Sequence, residues 1–248
     1  TSLPNTDRHK MNLFKEWTWF ELIWLLLFSI VNVFLYLKWD SGLIGLISAM
    51  SGMLCVVLVA KGKISNFVFG IVNTATYAYI SYGYGLYGES MLNALFYLPT
   101  QFIGLWMWQR HRSVNKVRDE DIEIKRLSVK GWAIVIASVV VGAYAYMHVL
   151  MALDAQQVRI DSVAVVMSVV AQILLTLRYA EQWVLWILVN LLSIVLWVVT
   201  LSQSGGSDYT MPVMWTAFLI NSIYGWINWL KLQQGKAAQM GVAQNSSL

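Results

Sequence analysis

The sequence is short of charged residues, of proline and of cysteine. Charged side chains make up 12% of its 248 residues, about half the share typical of soluble domains. Hydrophobic residues make up 58%, and the mean hydropathy is +0.59. The chain has only three prolines, and the single cysteine, Cys55, has no partner for an internal disulfide. This composition argues against a soluble globular domain and predicts a polytopic membrane protein.

Titratable side chains are missing from the middle of every predicted membrane span. The three histidines, His9, His111 and His148, lie in loops or near span ends, so we predict no metal site and no cofactor. Enzymes need an acid, a base, a metal or an activated nucleophile. Proton-coupled transporters normally need a buried titratable group, and phosphate-bearing ligands a cationic clamp. The sequence therefore disfavours a membrane enzyme, proton coupling and a phosphorylated ligand.

Eight long apolar runs predict an all-α fold with eight transmembrane helices. Each run has about 19–21 residues, enough to cross about 30 Å of hydrocarbon. The runs are continuous and do not alternate, which favours helices over a barrel. The predicted helices cover residues 17–37, 42–60, 64–82, 90–109, 131–150, 159–179, 183–201 and 210–230.

The basic residues divide unequally between the two sides of the predicted bundle. Of the 17 lysines and arginines, only Lys38 and Arg159 fall on the side opposite the N-terminus. The positive-inside rule then places both termini in the cytoplasm. The basic segment 110–130 is expected to contact anionic lipid headgroups or to be a solvated loop. Because topology explains the net charge of +4, we predict no nucleic-acid partner.

Two stretches of three helices resemble each other. At an offset of 117 residues, Asn66, Phe69 and Asn73 match Trp183, Trp186 and Asn190. A glycine followed four residues later by tryptophan also recurs, at an offset of 121, in Gly104–Trp108 and Gly225–Trp229. We therefore predict two parallel three-helix repeats joined by a linking helix, with one extra N-terminal helix outside them. The predicted boundaries are 1–41 for the extra helix, 42–109 for the first repeat, 110–157 for the loop and linker, 158–230 for the second repeat and 231–248 for a C-terminal tail.

Amide and aromatic side chains share helix faces in both repeats. Trp183, Trp186 and Asn190 have the spacing i, i+3 and i+7, which places them on one side of a helix. Polar groups inside a bilayer usually face the bundle interior, where they can line a cavity or join helices by hydrogen bonds. Pro99 predicts a bend in helix 4, while Trp108 and Trp229 are expected at the membrane interface, as is Trp106. The candidate ligand-binding residues are Phe69, Asn73, Gln101, Trp183, Trp186, Asn190, Asn221 and Tyr224.

Such a cavity suits a neutral or cationic ligand with a flat ring and several hydroxyl or amide groups. Indoles stack on flat rings and attract positive charge. Carboxamides offer both donors and acceptors, which suit a ribose or another carboxamide.

The motif Trp183-x-x-Trp186-x-x-x-Asn190, the matching Asn73 and the 3+1+3 plan resemble the bacterial nicotinamide riboside transporters of the PnuC type, over about residues 42–230. The parallel-repeat plan is shared with the SWEET sugar transporters. The resemblance implies facilitated diffusion of nicotinamide riboside, trapping of the substrate through a cytoplasmic riboside kinase, and a homotrimer.

The resemblance also implies roles for individual residues. Trp183 and Trp186 would flank the pyridinium ring, Asn73 and Asn190 would bind the ribose, and Gln101 would bind the carboxamide. Asn221 and Tyr224 are further candidates. We expect alternating access, with the two three-helix bundles rocking about a central site. Thiamine, another riboside or a sugar would fit the same cavity, and a receptor that binds the ligand without moving it stays open.

Overall fold

The structure is a computed structural model that describes residues 17–39, 42–83, 87–114, 120–152, 158–204 and 210–245. Helix α4 consists of Tyr87–Leu92, a π-helical turn at Asn93–Tyr97 and Leu98–Arg110. The other helices are α1 Trp19–Trp39, α2 Gly42–Ala60, α3 Asn66–Gly83, α5 Val129–Ala152, α6 Val158–Thr176, α7 Gln182–Ser204 and α8 Thr210–Asn245.

The predicted helices agree with the observed ones to within about three residues, except at the end of α8. That helix was expected to end near residue 230 but continues to Asn245, so residues 231–245 of the predicted tail are helical. Its 36 residues span about 54 Å, more than the hydrocarbon thickness of a bilayer. The extension holds good helix formers, and Leu232 within it is buried.

Several helices are apolar enough to lie in a membrane. Among the described residues, four helices have the length and composition to cross a bilayer: Trp19–Lys38, Leu43–Ala60, Val129–Ala152 and Val158–Thr176. Many of their apolar side chains are exposed, such as those of Leu26, Ile30 and Val141, and suit contact with lipid. The remaining long helices carry the amide and hydroxyl side chains, so the count of eight spans stays a prediction.

Six of the helices form a ring. Helix α2 packs between α3 and α8, and α6 packs between α7 and α4; contacts of α3 with α4 and of α7 with α8 close the circle. Helix α1 lies outside against α2, just as α5 lies outside against α6. The extra N-terminal helix thus has a counterpart in the linking helix.

The irregular part of α4 lies one turn before Pro99. Leu98 N–H donates to the carbonyl of Asn93, five residues earlier, within the π-helical turn. Proline has no N–H to give to the preceding turn and its ring crowds that turn, which accounts for a wider winding there. The bend at Pro99 stays a prediction, and the structure adds a π-helical turn just before it.

Within the basic segment 110–130, residues 120–127 pack against protein and do not form the solvated loop that was one expectation from the charge. This part, here called the crossing segment, lies across the turns between α2 and α3 and between α6 and α7, with Ile122 fully buried. Asp121 N–H donates to Gly62 O at 3.0 Å, and Lys125 N–H donates to Arg178 O at 2.8 Å. Alternating apolar residues and free backbone groups in both turns explain why this segment packs against protein.

Two ion pairs tie the outer helices to these turns. Lys61 Nζ lies 2.6 Å from the Glu21 carboxylate at the start of α1. Arg126, just before α5, lies 2.6 Å from Glu181 in the α6–α7 turn. We call the end of the bundle that holds both turns the basic side.

Candidate functional site

The backbone of the two basic-side turns recurs at an offset of 116 residues. Gly62 and Arg178 both adopt left-handed φ angles, of 68° and 67°. Gly62 N–H donates to Val59 O, and Arg178 N–H donates to Leu175 O, both at 2.9 Å. The starts and ends of α2 and α6 differ by the same 116 residues, calculated as 158 − 42 and 176 − 60.

The sequence-based register of 117 was therefore wrong by one residue. At 116, Phe67 corresponds to Trp183, and Thr74, not Asn73, corresponds to Asn190. The motif had been aligned by matching one amide to another. Apolar helices align in several registers, and the hydrogen bonds of the turns distinguish between them.

Two tryptophans expected at the membrane interface lie instead in the core. Trp108 and Trp229 are fully buried, with ring centroids 6.1 Å apart. The indole N–H of Trp108 donates to Leu175 O at 3.1 Å, and that of Trp229 donates to Val59 O at 2.8 Å. Each tryptophan thus bonds the end of the first ring helix of the opposite half. Trp106 is exposed beside Arg110, in keeping with an interfacial position.

Trp183 lies with Trp108 and Trp229 in one aromatic layer on the basic side, here called the closing layer. Its ring lies on Gly225, where any Cβ would overlap it, and it meets Trp229 edge-on at 6.0 Å. Phe67 lies on Gly104 in the same way. The Trp183 indole N–H is buried and has no partner among the described residues. Trp186, the other indole of the motif, stands about one turn deeper and is only partly buried.

Four candidate carboxamides, on four helices of the ring, lie at similar sequence distances from the basic side. Asn73 and Asn190 follow the starts of α3 and α7 by seven and eight residues, and Gln101 and Asn221 precede Trp108 and Trp229 by seven and eight. Counted along each helix at 1.5 Å per residue, these distances are about 10–12 Å. We call these four residues the amide layer.

Each asparagine of the amide layer reaches a neighbouring helix. Asn73 Nδ2 donates to Ser48 O of α2 at 2.8 Å, and Asn221 Nδ2 donates to Val56 O of α2 at 3.3 Å. Asn190 Nδ2 donates to Ser222 Oγ of α8 at 2.9 Å. The interhelical bonds considered from the sequence are present, and they leave the oxygen of each carboxamide available.

Gln101 and Phe69 occupy the side of the ring formed by α3 and α4. The Gln101 side chain is buried, with Oε1 against Gly70, where an added Cβ would overlap it. Phe69 on α3 is half-buried. In the ring, α3 with Phe69 and Asn73 lies across from α7, which carries Trp186 and Asn190.

Tyr224 lies nearer the basic side than the amide layer. Its hydroxyl donates to the Glu21 carboxylate, which also receives the Lys61 ammonium. Sequence reasoning treated Glu21 as a residue near a helix end and missed this buried cluster. The signal was Thr18-x-x-Glu21: Thr18 N–H donates to Glu21 Oε2 at 2.9 Å, and Glu21 N–H donates back to Thr18 Oγ1 at 3.3 Å.

The chemistry available in the amide layer is hydrogen bonding and stacking. Within the described part of the chain, no three His, Cys, Asp or Glu side chains come close enough to hold a metal ion. Arg178 lies outside the layer, in the α6–α7 turn; burial lowers the pKa of its guanidinium, against the charges of Glu123 and Tyr179.

Comparison with known proteins gives a consistent set of relatives. The family model for nicotinamide mononucleotide transporters matches residues 42–231. The nicotinamide riboside transporter PnuC of Neisseria mucosa is 42% identical over 231 residues, covering 93% of this chain and 88% of that protein. That of Haemophilus influenzae is 40% identical over 225 residues, covering 91% and 96%. A crystal structure of the vitamin B3 transporter PnuC superposes with a TM-score of 0.76 at 43% identity, covering 90% of this chain and 95% of that one.

Proposed function

Because the chain belongs to the nicotinamide mononucleotide transporter family, we propose that it takes up nicotinamide riboside across a bacterial inner membrane. Members of this family are membrane transporters and not enzymes. The observation that carries the choice of substrate is the amide layer, in which four uncharged carboxamides lie on four helices of the ring, with Trp186 one turn before Asn190 on α7. Such groups suit a cationic ring joined to a hydroxylated sugar.

We assign the substrate contacts as follows. Trp186 and Trp183 flank the pyridinium ring, and Phe69 forms the facing wall. Asn73 and Asn190 bind the ribose, with Asn221 beside them, and Gln101 binds the carboxamide. Tyr224 contributes at the basic-side edge of the site, with its hydroxyl held by Glu21 of the outer helix α1. The similar sequence distances of the four carboxamides from the basic side support this assignment.

The proposed mechanism is facilitated diffusion by alternating access. Two parallel three-helix repeats in a SWEET-like fold, 42–109 and 158–230, rock about the amide layer, and both termini face the cytoplasm. The hydrogen bonds repeated at 116 residues and the exchanged tryptophan bonds support two equivalent units. We further propose eight spans, a homotrimer and trapping of the substrate by a cytoplasmic kinase.

Uptake of radiolabelled nicotinamide riboside into proteoliposomes without an ion gradient tests this function. We expect saturable uptake by the wild type and a loss of about tenfold or more for Trp186→Ala and for Asn190→Ala. Asn32→Ala is the matched control, because the Asn32 amide bonds only the carbonyl of Phe28 in its own helix. Wild-type uptake by Trp186→Ala and Asn190→Ala would remove the proposed site.

Ligand titration separates the alternatives. Calorimetry of the purified protein with nicotinamide riboside, thiamine and nicotinamide mononucleotide should give heat with the riboside alone. Saturable binding without flux would indicate a receptor, and binding of thiamine instead would change the substrate.

A further inference from the structure

In the amide layer, the NH2 groups of the asparagines donate to neighbouring helices, so which end of each carboxamide faces its partner is fixed. A backbone carbonyl can only accept, so the Asn73 carboxamide must point its NH2 group at Ser48 O, and that of Asn221 must point its NH2 group at Val56 O. The carbonyl ends of both side chains are then directed away from these bonds. The Asn221 Oδ1 atom is buried and has no partner among the described residues.

Asn190 is oriented by Ser222 and not by a backbone carbonyl. The Ser222 hydroxyl donates its single proton to Phe218 O at 2.9 Å, one turn earlier in α8. The serine oxygen can then only accept, and it receives the Asn190 NH2 group at 2.9 Å. This relay fixes the carboxamide of Asn190 in the same sense as those of Asn73 and Asn221.

We propose that the amide layer presents its asparagines to the substrate as hydrogen-bond acceptors, and that Ser222 is a positioning residue which sets this specificity through Asn190. The inference rests on the proposed function and narrows it to ligands that bring O–H or N–H donors. A ribose hydroxyl satisfies an asparagine oxygen, whereas an ether, a fluorine or a phosphate-ester oxygen leaves two acceptors facing each other. A buried polar group left unpaired in this way costs affinity.

Fluorinated substrates test this polarity. We would titrate the purified protein with nicotinamide riboside and with three analogues in which fluorine replaces the 2′, 3′ or 5′ hydroxyl. Fluorine is close to hydroxyl in size but cannot donate. At least one analogue should bind the wild type about tenfold or more weakly than the riboside.

The ratio of the riboside affinity to the analogue affinity also tests the role of Ser222. In Ser222→Ala the Asn190 amide is free to rotate and present its NH2 group, so the ratio for that analogue should fall below about threefold. A purely structural defect would weaken both ligands equally and keep the ratio. Ser168→Ala is the matched control, since the Ser168 hydroxyl also donates one turn back, to Ala164 O, but positions no amide.

Each outcome has a separate meaning. No binding of any riboside by the wild type would remove the proposed function itself. Equal binding of the riboside and all three analogues would overturn the acceptor polarity while the function stands. An unchanged ratio in Ser222→Ala would overturn the role of Ser222. Should Ser222→Ala not fold, Asn190→Asp decides: a carboxylate only accepts, so the ratio must persist, and its loss would overturn the inference.

Discussion

The two halves of the molecule share a geometry but not its chemistry. In the first half the carboxylate of Glu21 lies on the outer helix and the cation of Lys61 lies in the turn. In the second half the cation of Arg126 precedes the outer helix and the carboxylate of Glu181 lies in the turn. Both halves therefore join the outer helix to the turn by an ion pair, with the positive and negative partners in opposite places.

The two ion pairs also differ in burial. The side chains of Lys61 and Glu21 are 8% and 3% exposed, whereas that of Arg126 is 41% exposed beside a buried Glu181. Loss of one partner from a fully buried pair leaves an uncompensated charge, which costs more than the loss of a partly solvated one. The first half thus depends more strongly on its ion pair.

The largest expected effect comes from breaking that buried pair. Lys61→Met should lower the free energy of unfolding, measured by denaturant titration in detergent, by about 3–5 kcal/mol. Arg126→Met should lower it by about 1–3 kcal/mol, because Leu127 N–H still donates to Glu181. The double variant Glu21→Lys with Lys61→Glu should recover more than half of the loss. Equal effects of the two single variants would contradict the difference in burial.

Trp108 and Trp229, which each bond a carbonyl of the opposite half, test whether the two halves are equivalent. Trp108→Phe and Trp229→Phe each remove one indole N–H, while the carbonyls of Leu175 and Val59 keep their bonds from Arg178 and Gly62 N–H. Each should destabilise the protein by about 1–3 kcal/mol, seen as a lower midpoint of thermal unfolding, because one hydrogen bond is lost and the smaller ring leaves a cavity in the core. Similar losses would support two equivalent units. A loss confined to one variant would show that only one of the two crossings contributes. Trp106→Phe, at an exposed site, is the control.

The smallest effect is expected at the left-handed residues of the turns. Gly62→Ala should cost about 1 kcal/mol or more, because a Cβ is strained at this φ and would lie 3.3 Å from Glu120 Cβ. Arg178→Gly removes such strain but loses the bond from the guanidinium to Glu123 O at 3.3 Å. Its net change should be smaller than that of Gly62→Ala when both are measured by denaturant titration, and a larger loss would assign the main role in this turn to the guanidinium.

Much of this fold could be predicted from the sequence, because the length and hydropathy of a run largely determine where an apolar helix lies. Length and hydropathy predicted most helix bounds, and residue spacing placed Trp183, Trp186 and Asn190 on one face of a helix. The family resemblance found through Trp183, Trp186 and Asn190 agrees with the relatives. These features depend on local periodicity, which a single sequence displays.

The rest depends on contacts between distant residues. A tryptophan near a helix end suits both a lipid interface and a bond to a distant carbonyl, so Trp108 and Trp229 were misplaced. The charge of segment 110–130 concealed the apolar residue Ile122, which is buried between the turns. The extension of α8 depends in part on Leu232, whose burial is decided by tertiary packing.

The crossing segment has a mechanical consequence. It is bonded to one turn through the backbone and carboxylate of Asp121 and to the other through the backbone of Lys125, by four hydrogen bonds that involve Gly62, Ile64, Arg178 and Ala180. Pulling the turns apart strains all four together, at roughly 0.5–1.5 kcal/mol for each bond broken. For the proposed rocking of the two halves, the crossing segment is therefore the expected pivot, because a hinge there leaves these bonds intact while the far ends of the helices separate.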